Sequence, residues 1–268
     1  VIVASSQLKE MLDFSNHNYY NWRFGKIYYT KKGKGSPLLL IHDTMPGASG
    51  YEWSRVEDQL AQEHTVYTLD LLGCGRSEKA GITYTNFLFV QIICDFIKNV
   101  IKEKTDIIAS GFSCSFVTTA AAYDKESINK IMFINPVSMI SLAQTTTKKD
   151  KLFKFFIELP IFGTFIYHII VSRETINDFF LDNLYYNPFH VDKDVLDAYY
   201  EAAHKGGYYA KCLYSSQSAK YMNINIRHAV ESIDNSIYIV EGEDEPNGAA
   251  IVEAYQKVNP AIESATIP

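Results

Sequence analysis

The sequence predicts an α/β protein: a mostly parallel sheet covered by helices on both faces, with a helical insert late in the chain. Three observations predict it. Short apolar, β-rich runs at residues 37–41, 64–69, 106–110, 130–135 and 236–240 alternate with segments of helical period. Several are continuous rather than alternating (PLLLI is one), which suits strands buried on both faces. Between residues 138 and 232 the rhythm changes: no strand-like run occurs, helical periodicity dominates and aromatics cluster. The division expected is a core over 1–137, an insert over 138–232 and the core resumed over 233–268.

Taken in order, residues 19–24 and 26–32 flank Gly25 in β-rich residues and read as a hairpin. After a glycine turn comes the strand 37–41, then a loop from His42 to Gly50 too rich in glycine and polar groups to be a mere connector. A helix is expected over 53–62, a strand over 64–69, and a glycine-bearing turn over 70–77, DLLGCGRS, where Asp70 and Ser77 can bond nearby amides. Residues 85–102 carry Phe89, Ile92, Ile93, Phe96, Ile97 and Val100 on one side of an amphipathic helix. The run 106–110 leads into Gly111-Phe112-Ser113-Cys114-Ser115 and an Ala-rich helix over 116–123. This reads as strand, sharp turn and helix, with Ser113 at the apex. Residues 152–171 form the longest apolar run, but Lys154, Glu158, Pro160 and His168 favour two amphipathic helices broken at 160–163 over a membrane span. A strand over 236–240, an acidic turn over 241–246, a helix over 249–257 and a strand over 262–267 complete the chain.

Composition narrows the function. In 268 residues with 47% hydrophobic content there is ample core for one domain with an insert. A net charge of −6 without a basic tract gives no footprint for nucleic acid. Cys74, Cys94, Cys114 and Cys212 lack metal-ligand spacing and read as reduced thiols, so neither metal nor cofactor is expected. The apolar residues Val1 to Ala4 read as the tail of a signal or anchor segment removed upstream, a route to membrane association that leaves the compartment open.

Four motifs, LLLIHD with Pro46-Gly47, DLLGCGRS, SGFSCS and IVEGEDEP, each follow an expected strand. Together they resemble the α/β-hydrolase superfamily in its capped, esterase-like serine-hydrolase branch. The resemblance covers nearly the whole chain from Tyr19 and implies an eight-stranded α/β-hydrolase sheet with a helical cap. It implies Ser113 as nucleophile at the elbow, and the N–H groups of Thr44 and Cys114 as the oxyanion hole. Glu245 is implied as the acid, with Asp244 as runner-up. Two departures stand out. Ser115 replaces the last glycine of the elbow, and Asp43 follows His42 where most relatives have glycine. An acidic side chain beside an oxyanion site is harmful unless turned away or neutralised. His42 is read as a residue that braces its loop.

No histidine follows His228, so the base of a triad is expected beyond Pro268. Capped dehalogenases and epoxide hydrolases of this fold use an aspartate nucleophile, and Ser113 disfavours both. The expected activity is therefore hydrolysis of an uncharged, lipophilic ester or related acyl substrate through an acyl-enzyme at Ser113, with cap aromatics lining an apolar cavity. The alternative is a non-catalytic hydrolase-like module that binds an apolar ligand or partner.

Overall fold

The computed structural model describes residues 8–13, 18–183 and 191–268. The expected anchor remnant at Val1 to Ala4, and the cap aromatics Tyr185 and Tyr186, lie outside the described residues. Eight strands form a single sheet: β1 (Tyr19–Trp22), β2 (Gly25–Lys32), β3 (Ser36–Ile41), β4 (His64–Leu69), β5 (Thr105–Ser110), β6 (Ile128–Ile134), β7 (Ile237–Gly242) and β8 (Glu263–Ile267). Their order is β1-β2-β4-β3-β5-β6-β7-β8. The β1–β2 and β2–β4 pairs are antiparallel, and every pair from β4 through β8 is parallel. Parallel neighbours bury both faces, which is why β3 carries Leu38, Leu39, Leu40 and Ile41 without a polar break.

Eleven α-helices occur among the described residues. On the core they are α1 (Glu57–Leu60), α2 (Asn86–Phe96), α3 (Ser113–Tyr123) and, after β7, α11 (Gly248–Val258). Between β6 and β7 run α4 (Met139–Leu142), α5 (Lys148–Glu158), α6 (Phe162–Ile170), α7 (Arg173–Asn183), α8 (Lys193–His204), α9 (Lys211–Ser218) and α10 (Arg227–Ser232). The main core joins the sheet to α2, α3 and α11 through Phe89, Phe96, Phe116, Phe133 and Tyr255. A second cluster, with Tyr167, Ile176, Phe180 and Tyr199, ties α6, α7 and α8 together. Leu142, Leu213 and Val230 join the main core, so α4, α9 and α10 pack down on the sheet side.

Three expected helices differ in extent. Residues 53–62 form a 3-10 turn at Gly50–Trp53 and the short α1, because Ser49 caps the first and the chain turns again at Ala61. The 85–102 helix is α2, capped by the Thr85 side chain on the Leu88 amide, then a π-turn at Ile97–Ile101 that ends at Lys102 with φ +64°. The helix expected from 116 begins three residues earlier, at Ser113. That difference of three residues decides the site.

Candidate active-site crater

Parallel registry places four loops side by side at the carboxyl end of the sheet. Ile41 pairs with Ala109, Ser110 with Ile134, and Ile134 with Val240, so the segments after β3, β5, β6 and β7 leave the sheet together. In open α/β sheets this is where ligands bind. The loops are knitted by backbone bonds from Gly111 N to Ile134 O (3.0 Å) and from Asn135 N to Val240 O (2.9 Å).

Because β5 runs through Ser110 and α3 starts at Ser113, the strand-to-helix turn holds only Gly111 and Phe112. Gly111 takes φ +53°, a left-handed conformation that glycine adopts without steric cost. Gly111 is thus the apex residue, and Ser113 lies two positions further on, in the first turn of α3. The expected nucleophile is displaced accordingly. Ser113 is fully buried, and its hydroxyl donates to the His42 carbonyl at 2.6 Å. Cys114, expected to supply an oxyanion-hole amide, directs its N–H at the Gly111 carbonyl (3.4 Å) and its thiol at the Ala109 carbonyl (3.4 Å). Burial pushes that thiol well above its ordinary range. Both side chains fasten α3 to the sheet, and neither reaches the crater.

The two amides positioned for an oxyanion hole are those of the residue after the apex and of the loop after β3. Here they belong to Phe112 and Thr44, and both point at one oxygen of Asp43. Thr44 N lies 2.7 Å and Phe112 N 2.9 Å from Asp43 Oδ1. These distances fall within the 2.7–3.1 Å at which hole donors hold a developing oxyanion. The acidic residue flagged in the sequence is not turned away, and among the described residues it pairs with no cation; its carboxylate takes both amides. Desolvation raises the Asp43 carboxyl above its usual range, opposed by those two amides. A β-carbon on Gly111 would sit 2.3 Å from Asp43 Oδ2, so the carboxylate also occupies the space of an apex side chain.

Around this pair the floor of the crater is acidic. The Asp43 amide donates to Glu52 Oε2 at 3.1 Å. Burial, and secondarily the Asp43 charge, raise the Glu52 carboxyl to about 7, with the Ser110 hydroxyl and the Asp43 amide pulling the other way. On the β7 side, Asn135 (φ +44°) donates from Nδ2 to Glu245 Oε2 at 3.1 Å and accepts from Gly242 N at Oδ1, also at 3.1 Å. Glu245 lines the crater with its carboxyl raised by burial, whereas Asp244 is exposed to solvent. His42 is buried. Its Nε2 accepts from Leu71 N at 3.0 Å and its Nδ1 faces the Asp43 carbonyl at 2.5 Å; burial lowers its pKa, keeping it neutral. It braces the loop between β3 and β4. Asp70 does the same one loop away, bonding Gly50 N (2.7 Å), Arg76 N (2.7 Å) and the Arg76 guanidinium.

Above the floor lies a cavity of about 470 Å³, walled by Phe179 and Phe180 from α7 and Val195 and Tyr199 from α8. A second space of about 430 Å³ adjoins it across Asp43 and Met45 and is lined by Ile170, Ile176 and Tyr214. Among the described residues, no group of three or more His, Cys, Asp or Glu side chains is arranged to hold a metal ion. Sequence reasoning missed Gly111, Phe112 and Glu52. The signal was present in part: the apolar run ends at Ser110, which leaves Gly111 as the first residue free to turn.

The sequence profile of the alpha/beta hydrolase fold matches residues 37–156. The chain is 28% identical over 114 residues, 42% of its length, to a 2-hydroxy-6-oxo-6-(2'-aminophenyl)hexa-2,4-dienoic acid hydrolase from Metapseudomonas resinovorans. It is 29% identical over 109 residues, 41% of its length, to a soluble epoxide hydrolase from Corynebacterium sp. strain C12. These matches span 39% and 37% of the two relatives, about two fifths of their length. Among solved structures, a probable hydrolytic enzyme from Pseudomonas aeruginosa PAO1 superposes with a TM-score of 0.74 at 14% identity, covering 94% of this chain and 86% of that one.

Proposed function

We propose that the chain, whose residues 37–156 match the alpha/beta hydrolase fold profile, keeps that fold's crater as a small-molecule binding site and has given up acyl-serine chemistry at the elbow. One observation carries this reading: a single Asp43 oxygen takes both hole amides beside an apex glycine. Acyl transfer needs a nucleophile at the turn and empty donors beside it. This site offers Gly111 and donors already engaged. The ligand that fits has an apolar body for Phe179, Phe180 and Tyr199, and a hydrogen-bond-donating end for Asp43, Glu52 or Glu245. Helices α7 and α8, from the stretch read as a cap, roof the site.

The test is direct. Nile red should bind the full-length protein at one site, and decanol or decylamine should displace it more readily than decanoate. A fluorophosphonate probe should leave the protein unlabelled. Rapid labelling at any serine, or preferred displacement by decanoate, would overturn the proposal.

The hydrolase names of the relatives and the Glu52 carboxyl near 7 favour a second reading, hydrolysis by a water that Glu52 activates as general base. It requires p-nitrophenyl ester turnover that resists fluorophosphonate and disappears in Glu52→Gln.

A further inference from the structure

We infer that the hairpin formed by α5 and α6 is a docking wedge for an anionic lipid bilayer. No single described helix is long and apolar enough to cross a membrane, but α5 and α6 together have the composition of a span, bent by 99° at their junction. The bend turns apolar side chains outward. Leu152, Phe155, Phe156, Ile161, Phe162 and Phe165 are all exposed, Ile161 to 87% and Phe165 to 65%. An apolar surface of this extent on a folded protein marks an interaction site.

The tip is built rather than loose. The buried Lys211 ammonium donates to Leu159 O (2.7 Å) and Thr164 Oγ1 (2.9 Å), fixing the turn between the helices. Tyr208 donates to Glu158 O at 3.2 Å, and Ser215 donates to Glu158 Oε1 at 2.7 Å. Gly163 lets α6 pass against the end of α5, where a β-carbon would lie 1.9 Å from Ile157 O. The wedge therefore meets a partner already shaped.

Charge selects the partner. Lys148, Lys149 and Lys151 are exposed on the first turns of α5 and make no ion pair among the described ones, while Asp150 is engaged by Thr147 and Lys220. At 1.5 Å per residue, Lys148 stands about 10 Å along the helix from Phe155. The basic groups and the apolar side chains thus occupy different stretches of α5, so a bilayer can take up the apolar stretch while the lysines stay among the headgroups. A second copy docking symmetrically through the same face would set these lysines against their own kind, whereas an acidic bilayer neutralises them.

Co-sedimentation with sucrose-loaded vesicles tests the inference. The full-length protein should pellet with vesicles of one part phosphatidylglycerol to three of phosphatidylcholine. Binding should weaken at least tenfold on pure phosphatidylcholine, in Lys148→Glu/Lys149→Glu/Lys151→Glu and in Phe155→Ser/Ile161→Ser/Phe165→Ser. The single change Ile161→Ser, at the most exposed position, should weaken it several-fold with an unchanged circular dichroism spectrum. Wild-type protein left in the supernatant, or apolar variants that pellet undiminished, would refute it. So would a lipid-free dimer that the serine substitutions dissolve.

Discussion

Asp43 Oδ1 stands 2.9 Å from the amide nitrogen of Phe112 and 2.7 Å from that of its own neighbour Thr44, so one side chain holds the position of a reaction intermediate's oxygen. In the proposed reading this carboxylate oxygen stands in for the negative charge that an acyl-transfer site would stabilise there. The first prediction removes that carboxylate. Asp43→Ala should expose both amides and let the crater take up acetate, which the wild type should refuse. Isothermal titration at neutral pH reads the difference, and equal affinity in both proteins would contradict the occupancy described above.

Ser113→Ala should act on stability alone. Its hydroxyl satisfies the His42 carbonyl in a fully buried setting, and leaving that carbonyl unpaired costs about 1–3 kcal/mol. Urea denaturation should show this loss, while Nile red affinity stays within twofold of wild type. A selective loss of binding would place Ser113 in the site after all.

Gly111→Ser should be harmful by itself. A non-glycine residue at φ +53° costs roughly 1–2 kcal/mol, and its β-carbon meets Asp43 at 2.3 Å. Adding Asp43→Gly removes the collision, so the double variant should recover more than about 1 kcal/mol relative to additivity. A double-mutant cycle by denaturation that shows no coupling would refute the contact.

Stability should fall between pH 4.5 and about 7 through Glu52. Its carboxyl is raised in the fold from 4.5 to about 7, so in that window the native state binds a proton that the unfolded chain releases. Unfolding then sheds protons, and stability declines as pH rises until the folded group ionises. The span corresponds to up to about 3 kcal/mol. Asp43, raised in the same direction by burial, adds to the slope. Glu52→Gln should flatten the profile of urea midpoint against pH, and an unchanged slope would assign it elsewhere.

The strands were legible because buried parallel strands write themselves as unbroken apolar runs, as in residues 37–41 and 236–240, whereas their order in the sheet is not written in such runs. The loops that converge on the crater followed, since each lies just past such a run. The apex was not legible from the motif alone. Gly-Phe-Ser and Ser-Gly-Phe offer two registers, and only the hydrogen bonding of β5 through Ser110 chooses between them. Asp43 was visible as an anomaly, but its role depends on the direction of one carboxylate, set by amides at 44 and 112 that are distant in sequence. Glu52 escaped notice because its unusual proton affinity comes from burial under the crater, a property that no neighbouring residue announces.

The contact between Gly111 and Asp43 also makes the two positions mutually exclusive in their occupants. A side chain at 111 and a carboxylate at 43 in this pose cannot coexist, since a β-carbon at the apex would stand 2.3 Å from Asp43 Oδ2. Restoring serine alone meets the carboxylate, and removing the carboxylate alone restores no nucleophile. An acyl-serine site at this turn therefore takes two substitutions made together, not one.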